Sequence, residues 1–299
     1  MSGHPDIDDL VLFDEQEEIH GLRDLWNWSK RLRRMNFDAA LVLHPTVYLA
    51  LLVFITRIPI RIGTGYRFYS FLFNERVYHH RKTAERHEME YNLELARKID
   101  ASLEKVEFKF YIPEDVIERV KAQLQELGLT ANEKFVVIHP GSGGSAMDWP
   151  LKKFAELNDR IHDELGIKVI ITGGPGEEPI VDDVIQKTKI KPIRTVGQLT
   201  LKALGALLRN ASLFIGNSSG PLHLAVAVGT PVVAFYPPIT PCLPARWGPY
   251  GQLDSVLMPP LEKCLKCTGR KCQHFNCMNL IEVEAAFQMV RRKLMKGNL

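Results

Sequence analysis

The sequence lacks any apolar run long enough to cross a bilayer, any strong net charge and the common phosphate-loop signatures, and each lack removes a class of protein. Its most apolar stretch, Val47 to Ile55 (VYLALLVFI), is nine residues, against the roughly 20 that a spanning helix needs. Bracketed by His44, Pro45 and Arg57, it reads as a buried helix, with a segment resting on a membrane surface as the second reading. The first twelve residues are acidic and polar, without the basic-then-apolar layout of a secretory leader, so a cytoplasmic chain is expected. With 38 basic against 35 acidic residues, a formal charge of +3, no overall field points to nucleic acid. No lysine lies between Ser142 and Pro150, so the glycine-rich segment there is not a GxxxxGK[ST] loop, and ATP hydrolysis is disfavoured. Gly141-Ser-Gly143-Gly144 also lacks GxGxxG spacing, and the next strand ends in Thr-Gly-Gly rather than an acid for a ribose, which argues against dehydrogenase chemistry.

What is present is an α/β pattern. A chain of 299 residues, 45% hydrophobic, can bury two cores, since single cores stop growing near about 250 to 300 residues. Ile7 to Phe13 reads as a strand, Leu22 to Met35 as a helix and Asp38 to His44 as a buried strand. Glu114 to Leu127 is an amphipathic helix stopped by Gly128, and a domain boundary is expected around 110 to 132, giving domains of 1–125 and 126–299. From Lys134 the alternation is regular. Strands are expected at Phe135–His139, Lys168–Thr172, Ile193–Val196, Leu213–Gly216 and Val232–Tyr236, separated by helices opening at Pro150, Glu178, Leu201 and Leu222. Such repeats imply a doubly wound parallel sheet, whose ligands bind at the carboxyl ends of the strands.

Those ends carry the unusual residues: His139-Pro-Gly-Ser-Gly-Gly-Ser145, Gly173-Gly-Pro-Gly-Glu177, Gly216-Asn-Ser-Ser-Gly-Pro221 and Tyr236-Pro-Pro238. Glycine lets the main chain approach a ligand and aim its N–H groups at it, and a helix N-terminus adds partial positive charge, so such loops suit a diphosphate. The plainer reading is that they are tight turns with capping serines, and Ser218 or Ser219 can cap the helix at Pro221. His223, one turn into that helix, can reach a phosphate oxygen or pack beneath the sheet edge. Trp149 beside Pro150 reads as a structural staple rather than a ligand platform. The basic stretch Arg57, Arg61, Arg67, Arg76, Arg81, Lys82, Arg86 and Arg97, with His79, His80 and His87, reads as solvated mixed charge, with an anionic partner as the alternative.

HPGSGG followed by Trp149-Pro150, GGPxE at Gly173 to Glu177, and IGNSSGPLHLAVAVGTPVVAFYPP from Ile215 to Pro238 together resemble the heptosyltransferases, glycosyltransferase family 9. The resemblance spans about Lys134 to Arg292, and more loosely Asp38 to Arg97, including Arg61-Ile-Gly63 and Arg86-His-Glu88. It implies a GT-B fold of two Rossmann-like domains, the N-terminal one incomplete, and inverting, metal-independent transfer of a sugar, heptose above all, from an ADP-sugar to a lipopolysaccharide core or related anionic glycan. It also implies that the donor is held by Ser142, Gly143, Gly144 and Ser145 at the diphosphate, Glu177 near the ribose or base, and Asn217, Ser218, Ser219, Gly220 and His223 around the sugar phosphates. The pattern departs from the family at Met147, where relatives carry Lys or Arg, and at Ser218, often aspartate. The family's catalytic aspartate would precede Met1. Within the chain His44, at a strand end, is the candidate base. Asp6-Ile-Asp8 spells DxD but stands ahead of a strand rather than at a strand end. Work at the cytoplasmic face of the inner membrane, by peripheral contact, is a further expectation.

Cys264, Cys267, Cys272 and Cys277 form C-x2-C-x4-C-x4-C, a spacing that suits structural zinc or an iron-sulfur cluster and equally suits reduced thiols in a loop. A cytoplasmic setting disfavours disulfides. Two other readings of the chain stay open at this point: a nucleotide-sugar-binding protein without catalysis, and a metal-binding interaction module.

Overall fold

The computed structural model describes residues 3–14, 18–101, 108–130, 133–144, 147–260 and 276–296. The chain divides into two compact units, Ile7–Glu107 and Phe108–Leu299, the second also taking Gly3–Asp6.

In the first unit, strands β1 (Ala39–Leu41), β2 (Ile60–Thr64) and β3 (Glu75–Val77) form a parallel sheet in sequence order. Helix α1 (Leu22–Arg33) packs on α2 (Val47–Ile55) through Leu25 and Leu52, while α3 (Glu88–Ala96) follows the sheet. The expected apolar helix is α2. Thr46 caps it by accepting from the Leu49 N–H at 3.2 Å, and Ala50, Leu52 and Val53 are buried. Gly63 of the Arg-Ile-Gly motif has a packing reason, since a Cβ there would lie 2.5 Å from the Phe73 ring. Arg61 is equally structural, donating to the carbonyls of Leu72 and Ile58 at 3.0 and 2.6 Å. The basic stretch is neutralised in part within the unit: Arg81 pairs with Glu88, Arg86 and His79 with Glu94, and the neighbouring Lys98 with Glu75. Ile7 to Phe13 does not form the expected strand, for its backbone joins no ladder. Alternation alone cannot stabilise a strand without a neighbour to accept its N–H groups.

The second unit is a six-stranded parallel sheet: β4 (Phe135–His139), β5 (Lys168–Gly173), β6 (Ile193–Val196), β7 (Leu213–Asn217), β8 (Val232–Phe235) and β9 (Val256–Leu257). Their spatial order is β6-β5-β4-β7-β8-β9. Both faces are covered, as parallel sheets require. On β4, Val136 and Ile138 point into a core with Phe154, Leu157 and Ile161 of α5 (Leu151–Leu165), Val181 and Val184 of α6 (Glu178–Lys187) and Val290 of the C-terminal helix Val283–Lys296. Phe135 and Val137 point the other way, against Val120 and Leu124 of α4 (Glu114–Glu126), Ala206 to Leu208 of α7 (Leu201–Asn210) and Leu222 of α8 (Gly220–Ala227). Gly166 closes α5 at φ +64°, as its place after the apolar stripe predicts. Among the described residues no helix is long and apolar enough to cross a membrane.

Candidate functional site

The strand order fixes where a ligand goes. From β4 the chain moves outward through β5 and β6, then returns to β7 on the other side and moves outward again through β8 and β9. The crevice beyond the carboxyl ends of β4 and β7 is therefore the topological switch point, where open α/β sheets bind their ligands. His139 pairs in register with Gly216, so the two glycine-rich ends leave the sheet side by side. Gly216 makes that approach possible, since a Cβ there would sit 2.9 Å from the His139 carbonyl oxygen.

Two side chains tie the loops together. Asn217, fully buried, donates through Nδ2 to the Pro140 carbonyl at 2.6 Å and accepts at Oδ1 from the Trp149 N–H at 2.9 Å, joining the β7 end to both limbs of the β4 loop. Glu177 joins the β5 loop to the β4 loop. Its Oε2 accepts from the Gly174 N–H at 2.7 Å and lies 3.3 Å from His139 Nε2, and its Oε1 fills the space a Cβ on Gly141 would need, 2.2 Å away. Because an ionised carboxylate only accepts, Nε2 carries the hydrogen, and His139 Nδ1 meets Thr172 Oγ1 at 3.0 Å.

The hydrogen bond from His139 holds the Glu177 carboxyl down at about 2 from 4.5; burial opposes this, and the N–H groups of Gly174 and Gly143 assist it. A carboxylate with a depressed folded-state pKa stabilises the fold above its unfolded value and loses that contribution as pH falls through the folded one. Stability should thus decline between about pH 5 and pH 2 by on the order of 2 kcal/mol from this group. In Glu177→Gln that part of the slope should vanish, and urea unfolding of both proteins at several acid pH values reads it; parallel pH profiles would remove Glu177 as the cause.

Beside these ties, two hydroxyls are left over. Ser142 Oγ and Ser219 Oγ are buried and find no hydrogen-bond partner among the described residues. Ser219 occupies the N-cap position of α8, yet its side chain does not close onto the helix, contrary to the capping role its position suggests. Ser142 lies in the β4 loop just before Gly143 and Gly144, whose φ values of +57° and +71° favour glycine. Gly220, the first residue of α8, has open space where a side chain would be. Buried hydroxyls are ordinarily satisfied, so two orphans at adjoining strand ends, beside the positive end of a helix, describe a seat for an anion.

The other expected residues are spread over both units, and some lie outside the described residues. Ser218, 8% exposed, donates its backbone N–H to the Phe235 carbonyl, and its side chain is hydrogen-bonded to Tyr236. His223 is half-buried on α8, its ring centroid 6.4 Å from that of Trp247. Ser145 lies outside the described residues. Trp149 is wholly buried, stacked on Phe235 with centroids 4.1 Å apart, and is core rather than a ligand platform. His44 is exposed, three residues beyond β1. Asp6 of the DxD spelling faces Lys109 at 3.5 Å. Cys264, Cys267 and Cys272 lie outside the described residues, while Cys277 is buried at the start of a short turn, and among the described residues no three His, Cys, Asp or Glu groups cluster to hold a metal.

Sequence reasoning did not single out His139 and Thr172, which set Glu177, or Tyr236, whose hydroxyl donates to the Trp247 carbonyl at 2.5 Å and whose pKa burial pushes up. A histidine ending an otherwise apolar strand was the available signal for the first.

The sequence profile described as glycosyltransferase family 9 (heptosyltransferase) matches residues 25–277. A lipopolysaccharide core heptosyltransferase, OpsX, of Haemophilus influenzae is 26% identical over 98% of this chain and 84% of its own length. The crystal structure of a family 9 glycosyl transferase from Veillonella parvula superposes with a TM-score of 0.81 at 23% identity, over 99% of this chain and 85% of that one. ADP-heptose lipopolysaccharide heptosyltransferase II of Escherichia coli gives 0.73 at 20% identity, over 93% and 82%.

Proposed function

We propose, from the plain premise that this chain belongs to glycosyltransferase family 9 and is a glycosyltransferase of the GT-B fold, that it transfers a heptose from ADP-heptose to a lipopolysaccharide core. The C-terminal unit binds the donor and the N-terminal unit serves the acceptor. The observation that carries this is the pair of orphaned hydroxyls, Ser142 and Ser219, at the switch point of a parallel sheet.

The acceptor hydroxyl oxygen attacks the anomeric carbon as the bond from that carbon to the diphosphate breaks, with inversion. The departing oxygen gains negative charge. Ser142 and Ser219 donate hydrogen bonds to the diphosphate, the Gly144 N–H and the first turn of α8 face it, and His223 supplies a further donor. That set of donors stabilises the leaving group, so no metal is required for the transfer. Ser218, Asn217 and Gly220 shape the sugar side, Ser145 extends the diphosphate set, and Glu177 presents its carboxylate edge toward the ribose while holding the two loops in place. The acceptor's proton passes to a base of the N-terminal unit, for which His44 is the candidate within the chain. Transfer takes place at the cytoplasmic face of the inner membrane.

Titration calorimetry should show ADP binding to the full chain with a one-to-one stoichiometry, undiminished by EDTA, and markedly tighter than UDP. Mass-spectrometric detection of heptose on a core acceptor should accompany it. Failure to bind ADP would overturn the donor assignment, and ADP binding without heptose transfer would overturn the reaction.

A further inference from the structure

We propose that α1 docks the N-terminal unit onto an anionic lipid bilayer. Its inner side is spoken for: Leu25 and Ser29 are 1% and 0% exposed, and Leu25 and Leu32 pack with Ile19, Leu51 and Leu52. Its outer side has an unusual make-up. At about 3.6 residues per turn, Leu22, Trp26, Lys30 and Arg33 form one stripe along the helix, flanked by Arg23 and Arg34. Leu22 is 79% exposed and Trp26 48% exposed. Lys30 and Arg33 lie 5.5 and 5.9 Å from the Trp26 ring centre, a wet aromatic framed by cations. The helix's one acid, Asp24, is off this stripe and accepts the His20 N–H at 3.1 Å.

The charge is unmatched. Arg23, Lys30, Arg31 and Arg34 form no ion pair among the described residues, nor does Arg33, whose guanidinium donates instead to the Ile55 and Thr56 carbonyls at 2.7 and 3.3 Å, whereas Arg81, Arg86 and Lys98 in the same unit all pair with acids. Unpaired cations alone would suit any polyanion. Exposed Leu22 and Trp26 narrow the choice, because an anionic bilayer offers phosphates to the cations and, a few ångströms deeper, an interface that takes an indole and an aliphatic chain. A helix of 12 residues, about 18 Å long, lies in that plane rather than crossing it.

This docking gives the membrane-face reading above a surface, and it is tested apart from transfer. The full chain is sedimented with vesicles of phosphatidylglycerol and phosphatidylethanolamine, with phosphatidylcholine vesicles as control. Anionic vesicles should bind it at least about tenfold better, less so as salt rises, and the tryptophan emission should shift to the blue on binding. In Lys30→Glu/Arg34→Glu, binding should fall by on the order of tenfold or more. Leu22→Ser/Trp26→Ser should lose the emission shift and most binding even at low salt. Both pairs lie on exposed positions, and unchanged circular dichroism melts confirm their fold. Equal binding to both vesicle types, no binding, or binding indifferent to both double variants would overturn the docking. Transfer to a soluble, deacylated acceptor should persist in the α1 variants; its absence in the parent protein that still binds vesicles would sink the reaction and leave the docking standing.

Discussion

Ser142→Ala/Ser219→Ala should weaken ADP binding by about a hundredfold or more while leaving the thermal midpoint unchanged or slightly raised. The two signs come from one fact. Each hydroxyl is buried, and each lacks a partner among the described residues, so each adds an uncompensated desolvation cost to folding. Removing it relieves that cost. With a diphosphate present the same oxygens donate to a charged acceptor, an interaction worth about 1.5 to 3 kcal/mol apiece. Two such losses amount to between about a hundredfold and about twenty-thousandfold in affinity. Calorimetry reads the affinity and differential scanning the midpoint. A double variant that binds ADP like the parent protein, or one that unfolds several degrees earlier, would show that these hydroxyls belong to the fold and not to the ligand.

The second large effect is on stability. Trp149→Ala should cost about 3 to 5 kcal/mol, read from urea unfolding. The indole is completely buried, stacked on Phe235 at 16° and edge-on to Phe154, and its Nε1–H donates to the Ile281 carbonyl at 3.0 Å. Its loss empties the junction of β8, α5 and the turn before the C-terminal helix. Trp149→Phe keeps the stacking and loses only the indole donation to the Ile281 carbonyl, which Lys153 Nζ still reaches at 2.9 Å, and should cost about 1 kcal/mol. The Trp149 backbone N–H, which holds Asn217, survives both changes. Donor affinity should therefore fall far less than stability. A Trp149→Ala protein of parental stability would contradict the packing.

The sequence made the second unit readable because a parallel sheet covered on both faces writes itself as uninterrupted apolar runs: FVVI before His139, VII before Thr172, LFI before Gly216 and VVAF before Tyr236 are strands β4, β5, β7 and β8. The loops were legible for the same reason, since glycines and serines cluster where strands end. The helix at Leu222 begins earlier than read, at Gly220, because Ser219 and not a residue nearer Leu222 takes the N-cap position. The first unit was harder. Its strands β1 and β3 are three residues each, too short for a period to show, and β2 alternates Ile60, Arg61, Ile62 in a way that competes with loop readings. The Glu177 tie to His139 was out of reach for a further reason: it joins positions 38 apart through the sheet's register, which no local pattern encodes. The two leftover hydroxyls are likewise a property of three-dimensional bookkeeping, since a serine before a helix reads as a cap until its oxygen is seen to point elsewhere.

The sheet order also has a consequence during synthesis. β4 is the first strand of its sheet to leave the ribosome, but its partners are β5, from Lys168, and β7, from Leu213. At about 5 to 20 residues per second, roughly 4 to 16 seconds pass between the emergence of Phe135 and that of its second neighbour. Through that interval one edge of a strand that is apolar from Phe135 to Ile138 stands open on the nascent chain. Long-range parallel pairing is slow and exposes such edges to aggregation, so this polypeptide should depend on chaperone cover until Asn217 has emerged and closed the central pair.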